Sequence, residues 1–157
     1  MMERDRILIV DDEEEIRRQL RWALADDYEV MEASSKEAAI DLIREKKPRL
    51  VTLDISLDAS LGDTQEGMHL LGEALSIDPK LKVIMITGNN NREFALKAIK
   101  LGAYDYYEKP IKLEEIKVIL RRAIYIQELE RENERLTREL REGHRFENII
   151  GSCSGMQ

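Results

Sequence analysis

The chain has 157 residues, 43% of them hydrophobic and 36% charged, so it can bury one ordinary core and still supply a long exposed helix. Its formal net charge of −7 arises within residues 1–110, which excludes the front of the chain as a good electrostatic match for nucleic acid. The single cysteine, Cys153, excludes an intrachain disulfide, and no apolar run approaches a membrane span or a signal-peptide core. We therefore expect a cytoplasmic protein that contacts neither membrane nor nucleic acid directly, with one domain and an appendage.

Five short apolar runs alternate with helical patterns along residues 1–125. The runs read as strands over Arg6–Val10, Tyr28–Ala33, the stretch from Leu50 that reaches Asp54, Lys82–Thr87 and Tyr104–Glu108. The helices between them are punctuated by an N-cap at Ser34 or Ser35, by Pro48 and Pro79, and by Gly102. This alternation predicts an α/β fold with a five-stranded parallel sheet, covered on both faces and joined by right-handed crossovers.

Polar side chains of complementary chemistry stand where four of these strands end. They are Asp11 and Asp12 after the first strand, Asp54 on the third, Thr87 on the fourth and Lys109 after the fifth. The carboxyl ends of parallel strands meet at one edge, where ligands bind in open α/β sheets. Crowded carboxylates need a cation, and Mg²⁺ is typically held by one or two carboxylates plus a phosphate. With Asp54 as a nucleophile toward phosphorus, the set predicts a site that forms and holds an acyl phosphate.

Each of these residues alone also has an ordinary explanation. Asp11 and Asp12 suit a helix start, Thr87 is a common strand residue, and Lys109 could be a surface charge. The functional interpretation therefore depends on their joint placement at the ends of successive strands.

The motifs Ile-Leu-Ile-Val-Asp-Asp-Glu, Leu-Asp, Met-Ile-Thr-Gly and Tyr-Tyr-Glu-Lys-Pro resemble the receiver domain of two-component response regulators over residues 1–125. The resemblance implies a flavodoxin-like, doubly wound (βα)5 domain in which Asp54 accepts a phosphoryl group from a sensor histidine kinase. It implies that Mg²⁺ is held by Asp12, Asp54 and the backbone carbonyl of Ser56, with Asp11 helping through water. It further implies that Thr87 and Lys109 contact the phosphoryl oxygens, that Tyr106 is the switch aromatic that responds to Thr87, and that the Lys109-Pro110 peptide is cis.

The segment after Asp54 departs from the family pattern. The loop Leu57–Glu66 is longer than usual, lacks the expected Met-Pro pair and reaches Gly67 late. The departure puts the order of this loop and its partner contacts in question, but it does not affect the acceptor role.

A long helix is predicted from Leu113 to Arg141, with Gly143 as its C′ signal. Residues 126–142 read as a coiled-coil linker helix, with a seam of Ile126, Asn133 and Leu140 at a positions and Leu129 and Leu136 at d positions. An asparagine at an a position favours a parallel, in-register homodimer. The alternative is a solvated charged helix, because fewer than three heptads are present.

Residues 143–157 resemble the opening of the central ATPase domain of sigma-54-dependent activators of the NtrC type. The chain is accordingly expected to be the regulatory front of a longer activator, in which phosphorylation alters dimer geometry to control an absent ATPase. No phosphate-binding glycine loop or helix-turn-helix follows, so ATP hydrolysis and DNA binding are expected in the missing domains.

Two other functions fit the same residues less well. A Mg²⁺-dependent aspartyl-nucleophile phosphatase shares the strand-end Asp, Thr and Lys, but it usually has a second Asp two residues after the nucleophile, where this chain has Ser56. A receiver-shaped dimerisation module without chemistry is disfavoured because the acceptor, both acids, Thr87 and Lys109 are all present. We expect a regulatory switch and not an enzyme.

Overall fold

The computed structural model describes residues 4–55, 65–88 and 92–151. Strands and helices alternate through these residues. The strands are β1 (Asp5–Val10), β2 (Tyr28–Ala33), β3 (Leu50–Asp54), β4 (Lys82–Thr87) and β5 (Asp105–Glu108), and the helices are α1 (Glu14–Leu24), α2 (Lys36–Lys46), α3 (Gln65–Ile77), α4 (Arg92–Leu101) and α5 (Leu113–Gly151).

The five strands form one parallel sheet in the order β2-β1-β3-β4-β5. This is the flavodoxin-like order of doubly wound folds, so the predicted fold class is confirmed. β3 lies in the middle of the sheet and all five of its residues are buried, which explains its continuous apolar character. The strand order changes direction at β1 and β3, and ligands bind beside such a switch point.

Two apolar clusters cover the two faces of the sheet. On one face, α1 and α5 pack against the sheet through Leu20, Leu24, Ile116 and Leu120. On the other face, α2, α3 and α4 bury residues such as Ile43, Leu70 and Ala98 against β1, β3 and β4. The alternation of side chains along each strand therefore supplies both cores, and the strand ends are left for polar residues.

The predicted punctuation of the helices is found at three positions. The Ser35 hydroxyl caps α2 by accepting a hydrogen bond from the Ala38 N–H at 3.2 Å. The same helix ends before Pro48, with Lys47 in the left-handed conformation at φ 49°. α4 ends at Leu101, and the next residue, Gly102, has a φ of 119°, which is readily adopted only by glycine.

The predicted end of the last helix at Gly143 is wrong, because α5 continues to Gly151. Glycine within a helix costs only about 1 kcal/mol relative to alanine, and here it does not adopt the left-handed C′ conformation that would stop the helix. The chain divides into two compact units, Met1–Ile124 and Tyr125–Gln157. Among the described helices, none has the length and apolar character needed to cross a membrane.

Candidate functional site

Three carboxylates meet at the carboxyl edge of the sheet. Asp11 follows β1, Asp12 is the next residue, and Asp54 is the last residue of the neighbouring β3. Carboxylate oxygens of the three side chains lie within 4.8 Å of one another. Asp11 and Asp54 are buried, at 2% and 3% exposure, whereas Asp12 is exposed. The cluster is a set of oxygen ligands, open on one side, that suits a hard divalent cation.

The ionised form of Asp11 is electrostatically unfavourable in the acidic cluster, and its pKa is raised as a result. The pKa of Asp11 is raised from 3.8 to about 7, chiefly by burial and also by the negative charge of Asp54. The N–H of Glu13, which donates to Asp11 Oδ1 at 2.8 Å, and the positive charge of Lys109 act in the opposite direction. A bound cation would offset this cost by favouring the ionised carboxylates.

Lys109 brings a positive charge to Asp54. Its Nζ lies 3.5 Å from Asp54 Oδ2 and 4.0 Å from a carboxylate oxygen of Glu13. The backbone N–H of Lys109 donates to the Thr87 carbonyl at 2.7 Å, which holds the start of the β5–α5 connection against the end of β4. The Lys109-Pro110 peptide is cis, as the family resemblance implied.

Thr87 is the last residue of β4 and is fully buried. In the described part of the chain, its Oγ1 is a buried side-chain oxygen without a hydrogen-bond partner. An unpaired buried hydroxyl costs roughly 1–3 kcal/mol, so such a group points to a ligand or to a second conformation that satisfies it. The position is next to β3 and its terminal Asp54, since β3 and β4 are paired.

The remaining predicted site residues are Tyr106 and Ser56. Tyr106 is half-buried on β5 and packs at the edge of the apolar cluster beneath α2, α3 and α4. Ser56, whose carbonyl was predicted as a metal ligand, and residues 57–64 of the long loop lie outside the described residues. After the loop, α3 comes so close to β3 that a Cβ at Gly67 would stand 2.7 Å from the Ile55 carbonyl oxygen. Gly67 is therefore the residue that allows this approach.

Two residues near the acids were not singled out from the sequence. The N–H of Glu13 donates to Asp11 Oδ1, and the Glu13 carboxylate faces Lys109. Arg17 on α1 donates from Nη1 to the backbone carbonyl of Asp11. The signal that could have found Arg17 is its spacing: Arg17 and Arg21 are one turn apart on a helix that packs beside β2, which carries Glu32.

The predicted coiled-coil seam lies in the second compact unit. Ile126 is half-buried and Asn133 is exposed, while Leu129, Leu136 and Leu140 are 48%, 45% and 73% exposed in the single chain. The apolar positions of the heptad are therefore open to solvent in one copy.

The strand order, with the acids, the hydroxyl and the lysine on one edge of the sheet, defines a signal-receiver domain of the CheY-like class. The family model described as "Response regulator receiver domain" matches residues 7–121. The chain belongs to this family, and its curated relatives include the NtrC-type regulators NtrX, AtoC and DctD.

Solved structures and curated relatives agree with this assignment. The receiver domain of NtrX from Brucella abortus is 40% identical, with a TM-score of 0.70 over 76% of this chain and 98% of that one. The nitrogen assimilation regulatory protein NtrX of Azorhizobium caulinodans is 36% identical over 96% of this chain, and the regulatory protein AtoC of Escherichia coli is 31% identical over 97%. The chain spans 32% of the length of each of these two relatives.

Proposed function

We propose that the chain is a phosphoacceptor switch of a cytoplasmic two-component system, in which a sensor histidine kinase phosphorylates Asp54. The observation that carries this proposal is the contact of Lys109 Nζ with Asp54 Oδ2 at 3.5 Å, beside two further carboxylates. A buried nucleophilic carboxylate with a fixed cation on one side is suited to accept a phosphoryl group, because the new negative charge is already partly offset.

The residues divide the chemistry between them. An oxygen of Asp54 attacks phosphorus, a new O–P bond forms, and the bond from phosphorus to the donor histidine nitrogen breaks. Lys109 binds the phosphoryl oxygens, which become the partner of its ammonium group. Asp11, Asp12 and Asp54 would hold Mg²⁺, which when bound supplies positive charge against the carboxylates and the phosphoryl oxygens.

The unpaired hydroxyl of Thr87 connects phosphorylation to a conformational change. A phosphoryl group on Asp54 adds about 1.5–2 negative charges and new acceptor oxygens beside the end of β4. Thr87 Oγ1, which is buried without a partner in the described residues, then donates to one of these oxygens. Tyr106 turns into the space that Thr87 leaves, so the surface around β5 changes. The switch is a shift between two populations, because the phosphoryl group binds them unequally.

Phosphorylation by acetyl phosphate and Mg²⁺ tests the acceptor. The wild-type chain should gain one phosphoryl group by intact mass, whereas Asp54→Asn should gain none while it keeps the same circular dichroism spectrum. Asp41→Asn, an exposed acid on α2, is the matched control and should be phosphorylated normally. Phosphorylation of Asp54→Asn would contradict the assignment, and steady release of phosphate from simple esters would favour the phosphatase instead.

We further propose that the seam on α5 forms a parallel homodimer, and that the chain is the regulatory part of a longer sigma-54 activator whose ATPase it controls. The exposure of Leu129, Leu136 and Leu140 supports the first statement, because apolar a and d positions are buried only by a second helix. The chain covers only about a third of the length of the two relatives NtrX and AtoC, and this supports the statement that it is part of a longer protein.

The dimer can be tested by sedimentation of the 157-residue chain. Leu136→Gln should shift the wild-type dimer toward monomer, because it places an amide in the seam. Arg138→Gln changes an exposed residue outside the seam to the same side chain and should leave the mass unchanged. A wild-type monomer at all concentrations would exclude the seam as a dimer interface.

A further inference from the structure

We propose that Arg17 on α1 and Glu32 on β2 form a positioning pair, which sets the direction of the peptide group that joins Asp11 to Asp12. The inference rests on the proposed function, because it concerns the acids that would hold Mg²⁺. Neither residue lies in the acidic cluster itself.

The contact of Arg17 is with the backbone and not with a carboxylate. Its Nη1 donates to the carbonyl oxygen of Asp11 at 2.5 Å. This oxygen belongs to the peptide bond between Asp11 and Asp12, and the peptide group is planar. A donor that fixes the direction of the carbonyl therefore also fixes the Asp12 N–H and the start of the Asp12 side chain.

The other hydrogen bonds of Asp11 do not fix the peptide group that joins Asp11 to Asp12. The Asp11 N–H donates to the Ala33 carbonyl at 3.1 Å, which continues the pairing of β1 with β2. The Asp11 side chain accepts from the Glu13 N–H at 2.8 Å. Asp12 is exposed and follows the end of β1, and the direction of its main chain is set in part by the peptide that Arg17 holds.

Glu32 keeps Arg17 in place. Its Oε1 lies 3.4 Å from Arg17 Nε, and its Oε2 accepts a hydrogen bond from Arg21, one turn further along α1. The side chains of Arg17 and Glu32 are only 15% and 25% exposed, so water screens the pair less than it does a fully exposed pair. Glu32 sits opposite Ile9 in the strand register, close to the end of β1 where the acids begin.

The same contacts could serve only to attach α1 to β2. A comparison with Arg21 distinguishes this structural role from the positioning role. Arg21 also binds Glu32, and it is more exposed than Arg17, at 48%. If the contacts only attach α1 to β2, replacement of Arg17 and replacement of Arg21 should change the affinity for Mg²⁺ equally. A positioning role makes them different, because the Asp11 carbonyl is held by Arg17.

The experiment measures Mg²⁺ binding to the unphosphorylated 157-residue chain by calorimetry, in wild type, Arg17→Met, Arg17→Lys and Arg21→Met. Loss of an outer partner of metal ligands typically weakens affinity by about 10–100-fold, so Arg17→Met should raise the Kd for Mg²⁺ about tenfold. Arg17→Lys keeps a donor and should recover part of that loss, and Arg21→Met should stay within twofold of wild type. In metal-free protein, the backbone amide resonance of Asp12 should move in Arg17→Met and not in Arg21→Met.

Glu32→Gln keeps the guanidinium and removes the charge that holds it, so it serves if Arg17→Met does not fold. It should raise the Kd for Mg²⁺ by a smaller factor, about threefold.

Equal Mg²⁺ affinity in wild type, Arg17→Met and Glu32→Gln, or an equal loss of affinity in Arg21→Met, overturns the positioning role. Neither result affects the proposed phosphorylation of Asp54. A wild type that binds Mg²⁺ with the predicted dependence on Arg17, yet accepts no phosphoryl group, overturns only the proposed function. A wild type that binds no Mg²⁺ overturns the positioning role, and the acetyl phosphate assay then decides separately on the acceptor.

Discussion

Replacing Asp11 by asparagine should stabilise the metal-free protein at neutral pH, although it removes a predicted metal ligand. Burial raises the pKa of Asp11 from 3.8 to about 7, so the folded protein holds a proton that the unfolded chain has already released. Stability therefore falls as the pH rises from about 4 to about 7. At 1.36 kcal/mol per pKa unit, the ionised carboxylate costs the metal-free fold at most about 4 kcal/mol above pH 7.

Asparagine imitates the protonated acid and can still accept from the Glu13 N–H, so Asp11→Asn should remove this cost. Thermal unfolding in EDTA at pH 5 and pH 8 measures the effect. The wild type should lose stability at pH 8 relative to the variant, by at most about 16 °C in Tm for a chain of this size. Mg²⁺ should raise the Tm of the wild type at pH 8 and leave that of Asp11→Asn nearly unchanged.

Asp41→Asn, on the exposed face of α2, is the control and should follow the wild type at both pH values. Equal pH dependence in wild type and Asp11→Asn, or a lower Tm of Asp11→Asn in EDTA at pH 8, would refute this reasoning. Either result would mean that the acidic cluster is not under electrostatic strain.

Four further variants test other parts of the structure. Thr87→Val replaces an unpaired buried hydroxyl by a methyl group, so it should keep the free energy of unfolding or raise it by up to about 1 kcal/mol in urea titration, while the conformational change on phosphorylation of Asp54 is lost. Gly67→Ala should lower the free energy of unfolding by about 1–3 kcal/mol in urea titration, because its Cβ meets a backbone oxygen at 2.7 Å. Gly72→Ala on the same helix has open space and should raise it by up to about 1 kcal/mol. Asn133→Leu should strengthen the dimer, or raise its order, in sedimentation, since a buried asparagine limits both.

Much of the fold could be predicted from periodicity and turn chemistry. The second and fourth strands have the predicted bounds, and the first and fifth differ by one residue at the start. Ser35 and Gly102 act as predicted because capping and left-handed backbone are properties of a few neighbouring residues. Gly143 does not, because a helix ends only when the whole local segment favours an end, and flanking helix-forming residues carry α5 past it.

Some residues of the candidate site could also be predicted from the sequence, and others could not. Asp11, Asp12, Asp54, Thr87 and Lys109 could be chosen from the sequence because parallel strands bring their carboxyl ends together whatever the details of packing. The roles of Arg17 and Gly67 could not, since the spacing of Arg17 from Arg21 does not show which backbone carbonyl Arg17 contacts, and Gly67 acts through a close approach of helix to strand.

The sequence by itself determined the α/β class with its parallel strands, the helix caps and the residue types at the sheet edge, because these follow from residue types at short, regular spacings. Only the tertiary structure decided that Asp11 is the carboxylate whose ionised form is disfavoured by burial, that the Thr87 hydroxyl has no partner within the described residues, and that Arg17, held by Glu32, contacts the Asp11 carbonyl. These properties depend on distances and solvent exclusion between segments that are far apart along the chain.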